Sequence, residues 1–85
     1  MPRAKIPRVK NYPDEKKIGS HVTIGCYGNP NIKTHANWEV SLWIVGFDMP
    51  LTAEEELQGL FYKEARKQAL KLARCLDIPI CEVEG

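Results

Sequence analysis

Few side chains in this chain could make or break bonds: His21, His35, Cys26, Cys75 and Cys81 are its only imidazoles and thiols. A structural zinc site draws its ligands in close pairs, CxxC or HxxxH, so that each local turn places half of the cage. Neither pairing occurs, and His21, Cys26 and His35 would have to converge without local help. Cys26 would act as a nucleophile only with an imidazole and a carboxylate brought to its sulfur, and no spacing in the chain supplies them. Gly25 and Gly28, with Asn29-Pro30-Asn31, do not make a phosphate cradle, since neither GxGxxG nor GxxxxGK[ST] is present. The expectation is a protein that is not an enzyme, with no catalytic residue, no metal and no cofactor. An odd cysteine count without CxxC reads as reduced thiols packed as small hydrophobes.

Binding chemistry is better represented. The net charge of +1 says little, but its distribution is uneven. Arg3, Lys5, Arg8, Lys10, Lys16 and Lys17 crowd the start of the chain against Asp14 and Glu15, while Asp77, Glu82 and Glu84 make its end acidic. A basic arm is one way to hold a polyanion, and also a way to keep a loose segment solvated. Pro2, Pro7 and Pro13 lie among those charges, so residues 1–17 are expected to be an extended arm without a helix, with a short edge strand around residues 8–10. Ile6, Val9 and Tyr12 are spaced to pin it on the domain or on a partner.

Two strands follow. Residues 20–27 alternate, with Val22, Ile24 and Cys26 on one side and His21, Thr23, Gly25 and Tyr27 on the other. After the break at Gly28-Asn29-Pro30-Asn31, residues 37–47 alternate again. Trp38, Val40, Leu42 and Ile44 share one face, and Glu39, Ser41, Trp43, Val45 and Phe47 share the other. Strands joined by a connection of this kind pair antiparallel.

A helix is expected over residues 51–77. Thr52 and Glu55 match a capping box, and Glu54, Glu55 and Glu56 complement the positive end of the helix dipole. Leu57, Phe61, Ala65, Ala69, Leu72 and Leu76 form the stripe toward the core, with Tyr62 and Ala73 at its flanks. Lys63, Lys67 and Arg74 occupy the outward side, with Arg66 and Lys71 at its margins. Leu60 and Leu70 belong to neither set and hint at a contact surface. Pro79 ends the helix, and residues 78–83 form a third strand.

The fold class is thus α+β: a small antiparallel sheet in β-β-α-β order, one long amphipathic helix on one face, and an extended arm. Residues 1–17 are the arm and residues 18–85 a single domain. At 85 residues, 44% hydrophobic and 27% charged, one core is all such a chain builds. No apolar run reaches the roughly 20 residues of a membrane span, so no membrane partner is expected. Without an apolar h-region after the basic start, a cytoplasmic location is expected.

A strand hairpin, then a long helix, then a short strand ending in Glu-Val-Glu-Gly resembles the helix-on-sheet domains of the double-stranded-RNA-binding type. It also resembles the arm-binding domains of phage integrases. Small chains of this build are similar to phage and mobile-element inhibitors, anti-CRISPR proteins among them, although the balanced charge departs from strongly acidic DNA mimics. The function expected is a non-enzymatic binding protein acting on a protein or nucleoprotein complex, with a homodimer as one form. The alternative is direct binding of nucleic acid. The residues expected to carry binding are Tyr27, Trp43 and Phe47 on the uncovered sheet face, Lys63, Lys67, Leu70 and Arg74 on the helix, and Arg3, Lys5, Arg8 and Lys10 in the arm.

Overall fold

The computed structural model describes residues 5–46 and 57–84. Among the described residues six elements occur in this order: β1 (Arg8–Val9), α1 (Glu15–Ile18), β2 (His21–Cys26), β3 (Trp38–Trp43), α2 (Tyr62–Leu76) and β4 (Ile80–Val83). They build a four-stranded sheet of order β1-β4-β2-β3 with α2 packed on one face.

The hairpin forms as its alternation predicts. β2 and β3 pair antiparallel from His21↔Trp43 to Cys26↔Trp38, which puts Val22, Ile24, Trp38 and Val40 on one face. The sheet as a whole is not antiparallel. β4 lies beside β2 in parallel, Val22↔Ile80 to Ile24↔Glu82, and β1 pairs with β4 in parallel as well. β1 needs only a few bonds to hold: the Glu82 N–H donates to the Pro7 carbonyl and the Glu84 N–H to the Val9 carbonyl, each at 2.8 Å.

The arm also contains the helical turn that its prolines were expected to forbid. Pro13 precedes the turn instead of lying within it, so its missing N–H removes no helical bond. Asp14 then caps α1: its Oδ1 accepts from the Lys16 N–H at 2.9 Å, and its carbonyl accepts from Lys17 and Ile18. Gly19, at φ +83°, turns the chain out of α1 into β2.

The long helix begins later than its capping signal suggests. Residues 47–56, with Thr52, Glu55 and Phe47, lie outside the described residues. Residues 57–61 are not α-helical, because Gly59 adopts φ +62° and Leu60 bridges Trp38 in both directions at 2.9 Å. α2 starts only after Phe61, whose side chain makes no capping bond. From there on the sequence is rich in Ala, Leu, Lys, Arg, Glu and Gln, the residues that lose least in a helix. Asp77 ends it in the left-handed region at φ 53°, and the Ile78 N–H folds back onto the Ala73 carbonyl.

The buried stripe of α2 is Ala65, Ala69 and Ala73, set against Val22, Ile24, Trp38 and Val40. Phe61 and Leu76, expected in the core, are exposed, while Leu57, Leu72 and Tyr62 pack at its rim. Three alanines at a spacing of four let the helix backbone settle close to the sheet, so the large apolar volume comes from the strands. Tyr62 meets Trp38 edge-on at 4.7 Å between ring centroids. Burial of Val22, Ile24 and Val40 contributes roughly 1.5–3 kcal/mol each.

Candidate binding surfaces

The fold presents two surfaces apart from its core. The first is the sheet face away from α2, which carries His21, Thr23, Glu39, Trp43, Cys81 and Val83 by register, with His21, Thr23, Cys81 and Val83 already buried. Trp43 is anchored there: its indole N–H donates to Thr23 Oγ1 at 2.9 Å, and its ring stacks on His21 at 5.9 Å with planes 5° apart. The Tyr12 ring lies 5.4 Å from Trp43, so the arm crosses this face. Gly25 permits that crossing, because a Cβ there would stand 3.0 Å from the Tyr12 hydroxyl. Burial raises the Tyr12 pKa, and the charges of Glu39, Cys26 and Cys81 add to it. Trp43 is therefore half-buried between the arm and His21, not an open stacking platform.

Tyr27 stays exposed at the end of the hairpin, donating its hydroxyl to Glu39 Oε2 at 2.6 Å. That hydrogen bond is the main reason its pKa is raised. His21 is fully buried, with Nδ1 3.0 Å from the Gly19 carbonyl and no partner for Nε2 among the described residues. Among the described residues no group of three or more His, Cys, Asp and Glu side chains could hold a metal ion, and no helix is long and apolar enough to cross a membrane.

The arm cations divide. Lys5 and Lys10 are exposed, and Arg3 lies outside the described residues. Arg8 is exposed as well but is paired: its Nε lies 3.1 Å from Glu82 Oε2 and 3.4 Å from Glu84 Oε1. The basic start and the acidic end of the sequence thus meet at the β1–β4 pair. Glu82 is buried beside α2, where burial first, and then the Glu82 carboxylate, raise the Tyr62 pKa, with Arg66 opposing.

The second surface is the outward side of α2. Lys63, Arg66, Lys67, Lys71 and Arg74 stand on this helix against the single acid Glu64, which accepts a hydrogen bond from Gln68 at 3.1 Å. Lys63, Lys67, Lys71 and Arg74 are exposed. Between them lies a shallow, open trough of about 550 Å³ lined by Lys67, Leu70, Lys71, Arg74 and Cys75. Leu70 is half-buried in its wall. A smaller depression of about 210 Å³, lined by Leu57, Gln68, Lys71, Leu72 and Cys75, adjoins it along the helix.

Of the residues singled out from sequence, this surface brings Lys67, Leu70 and Arg74 together and adds Lys71 and Cys75. Lys71, expected at the margin of this side, stands four residues from Lys67 and lines the same trough. Leu60 is not part of the helix; it is the residue that bridges Trp38. Tyr27, Trp43 and the arm lysines belong elsewhere on the molecule. No family model matches the chain, and no curated protein or solved structure matches it either.

Proposed function

We propose that this protein is a non-enzymatic binding module that docks on a protein or nucleoprotein complex through the outward side of α2. The observation that supports this best is the one-sided charge of that helix combined with an aliphatic residue, Leu70, in the trough between the cations. Five cations against one acid give this face a single sign of charge, and the half-buried Leu70 gives it an apolar contact point among them. The half-buried state of Trp43 moves weight from the sheet face to the helix. An inhibitor works by occupying a surface, and a role of the phage or mobile-element type, anti-CRISPR activity included, stays within the proposal on resemblance of element order alone.

Direct nucleic-acid binding is the second reading, favoured by the exposed cations at positions 63, 67, 71 and 74. Both share one test. Wild type and the Lys67→Glu, Arg74→Glu double variant are titrated against labelled polyglutamate and a labelled oligonucleotide across a salt series. Wild type is expected to bind at least one polyanion with affinity that falls steeply with salt, and the charge reversal to abolish binding. Retention of full affinity by the double variant would remove α2 as the binding surface.

A further inference from the structure

The trough on α2 has a chemistry that selects among polyanions. Lys67, Lys71 and Arg74 stand at i, i+4 and i+7, a cationic rim spanning about 10 Å of helix axis. Among the described residues, Leu70 and Cys75 add uncharged, largely apolar groups to the lining. These five residues all belong to one face of α2, so the trough is an open groove between side chains that a partner reaches without an entry path.

A nucleic acid would satisfy the rim but not the wall. Single strands need aromatic platforms to stack their bases, and α2 offers none at this surface. Trp43, Tyr12 and Tyr27 belong to the opposite sheet face and its end, Tyr62 is committed to Trp38, and the exposed Phe61 precedes α2, six residues before Lys67. A duplex backbone would set phosphates against Leu70, desolvating them beside a group that cannot pair with them. A protein helix has the matching pattern, because residues at i, i+3, i+4 and i+7 share one face and repeat at the pitch of the rim itself.

We propose that this trough docks an acidic, amphipathic helical segment of a partner protein, which inserts one aliphatic side chain against Leu70 and sets carboxylates on Lys67, Lys71 and Arg74. The site so assigned rests on α2 being the binding surface. It adds the class of partner and the residue that distinguishes it.

The probe is a fluorescein-labelled, helix-favouring peptide of about 15 residues, with one central Leu and Glu at i−4, i−3, i+3 and i+4. A second peptide replaces only the Leu by Ser, and an oligonucleotide carries matched charge. By fluorescence polarisation, wild type is expected to prefer the Leu peptide to the Ser peptide by about tenfold. Leu70→Asn, on the rim of a helix whose core face is alanine, should erase that preference while the Ser peptide binds as before. The Lys67→Gln, Arg74→Gln double variant should weaken both peptides by about tenfold or more. Circular dichroism of each variant confirms that α2 is intact.

Equal affinity for the two peptides, insensitivity to Leu70→Asn, or tighter binding of the oligonucleotide would overturn the acidic-helix partner and leave α2 as a general polyanion surface. Failure of wild type to bind any of the three probes would overturn the partner and the surface together.

Discussion

Arg8 was first notable as a cation in a basic arm, and the structure gives it a different task that can be measured. Glu82 is 3% exposed, and its Oε2 lies 3.1 Å from the Arg8 guanidinium. Replacing Arg8 by Met keeps the length of the side chain but leaves the Glu82 carboxylate buried beside α2 with the neutral Tyr62 hydroxyl and without the Arg8 charge. Removing one partner of a fully buried ion pair costs about 3–5 kcal/mol. The Arg8 side chain is 45% exposed, so water screens one side of the pair, and about 2–3 kcal/mol is the fitting expectation. A domain of this size has only about 4–13 kcal/mol in total, so the loss would be large. The assay is urea unfolding followed by tryptophan fluorescence for wild type, Arg8→Met, Glu82→Gln and the double variant. Because the cost lies in stranding the carboxylate, Glu82→Gln should rescue much of it, with a coupling of about 1–2 kcal/mol. Lys10→Met, at an exposed arm position, should change stability by less than about 0.5 kcal/mol. Additive losses, or an Arg8→Met variant as stable as Lys10→Met, would refute a structural role for Arg8.

Other outcomes follow from the packing and the titrating groups. Ala69→Leu forces bulk between α2 and the sheet and should destabilise by about 1–3 kcal/mol, read as a drop in Tm. Gly59→Ala should cost about 1–2 kcal/mol through the positive φ, since among the described residues the added Cβ meets only the Ala36 carbonyl at 3.8 Å; unfolding by urea measures it. Tyr12→Ala should uncover Trp43 and shift its emission to the red, whereas an unchanged spectrum would mean the arm does not lie on that face. Stability should fall at high pH. Tyr62 keeps its proton in the fold above its ordinary value of 10.0, so the unfolded chain releases its proton first and gains as pH rises through that range. The contribution is complete below pH 10.0 and lost as pH passes the raised folded value; Tyr62→Phe should flatten the alkaline decline in urea midpoint.

Strand content and facing were legible in the sequence because a period of two is a strong, local signal. The partition of Val22, Ile24, Trp38 and Val40 from His21, Thr23 and Trp43 came through intact. Helix placement was less legible. Gly59 and the Leu60–Trp38 bridge, which depends on a strand far away in sequence, keep residues 57–61 out of α2, while Thr52 and Glu55 lie outside the described residues. The buried stripe was misjudged because alanine carries a weak hydropathy signal while Phe61 and Leu76 carry a strong one. The parallel pairing of β4 had no local marker at all. For the binding surface, the cation spacing on α2 was readable, but the burial of Trp43 was not, since it needs Tyr12 folded back over Gly25.

The β1–β4 pair has a consequence in time. Arg8–Val9 finds its partner only in Ile80–Val83, from the other end of the described chain. On a ribosome, the β2–β3 hairpin can close as soon as it emerges, but β2 keeps an unpaired edge until β4 arrives. A nascent chain paused before that point would hold an open strand edge and a waiting arm, the combination that invites pairing between chains. Pairing of β4 closes the β2 edge and gives β1 its partner together, so both exposed edges depend on that one strand.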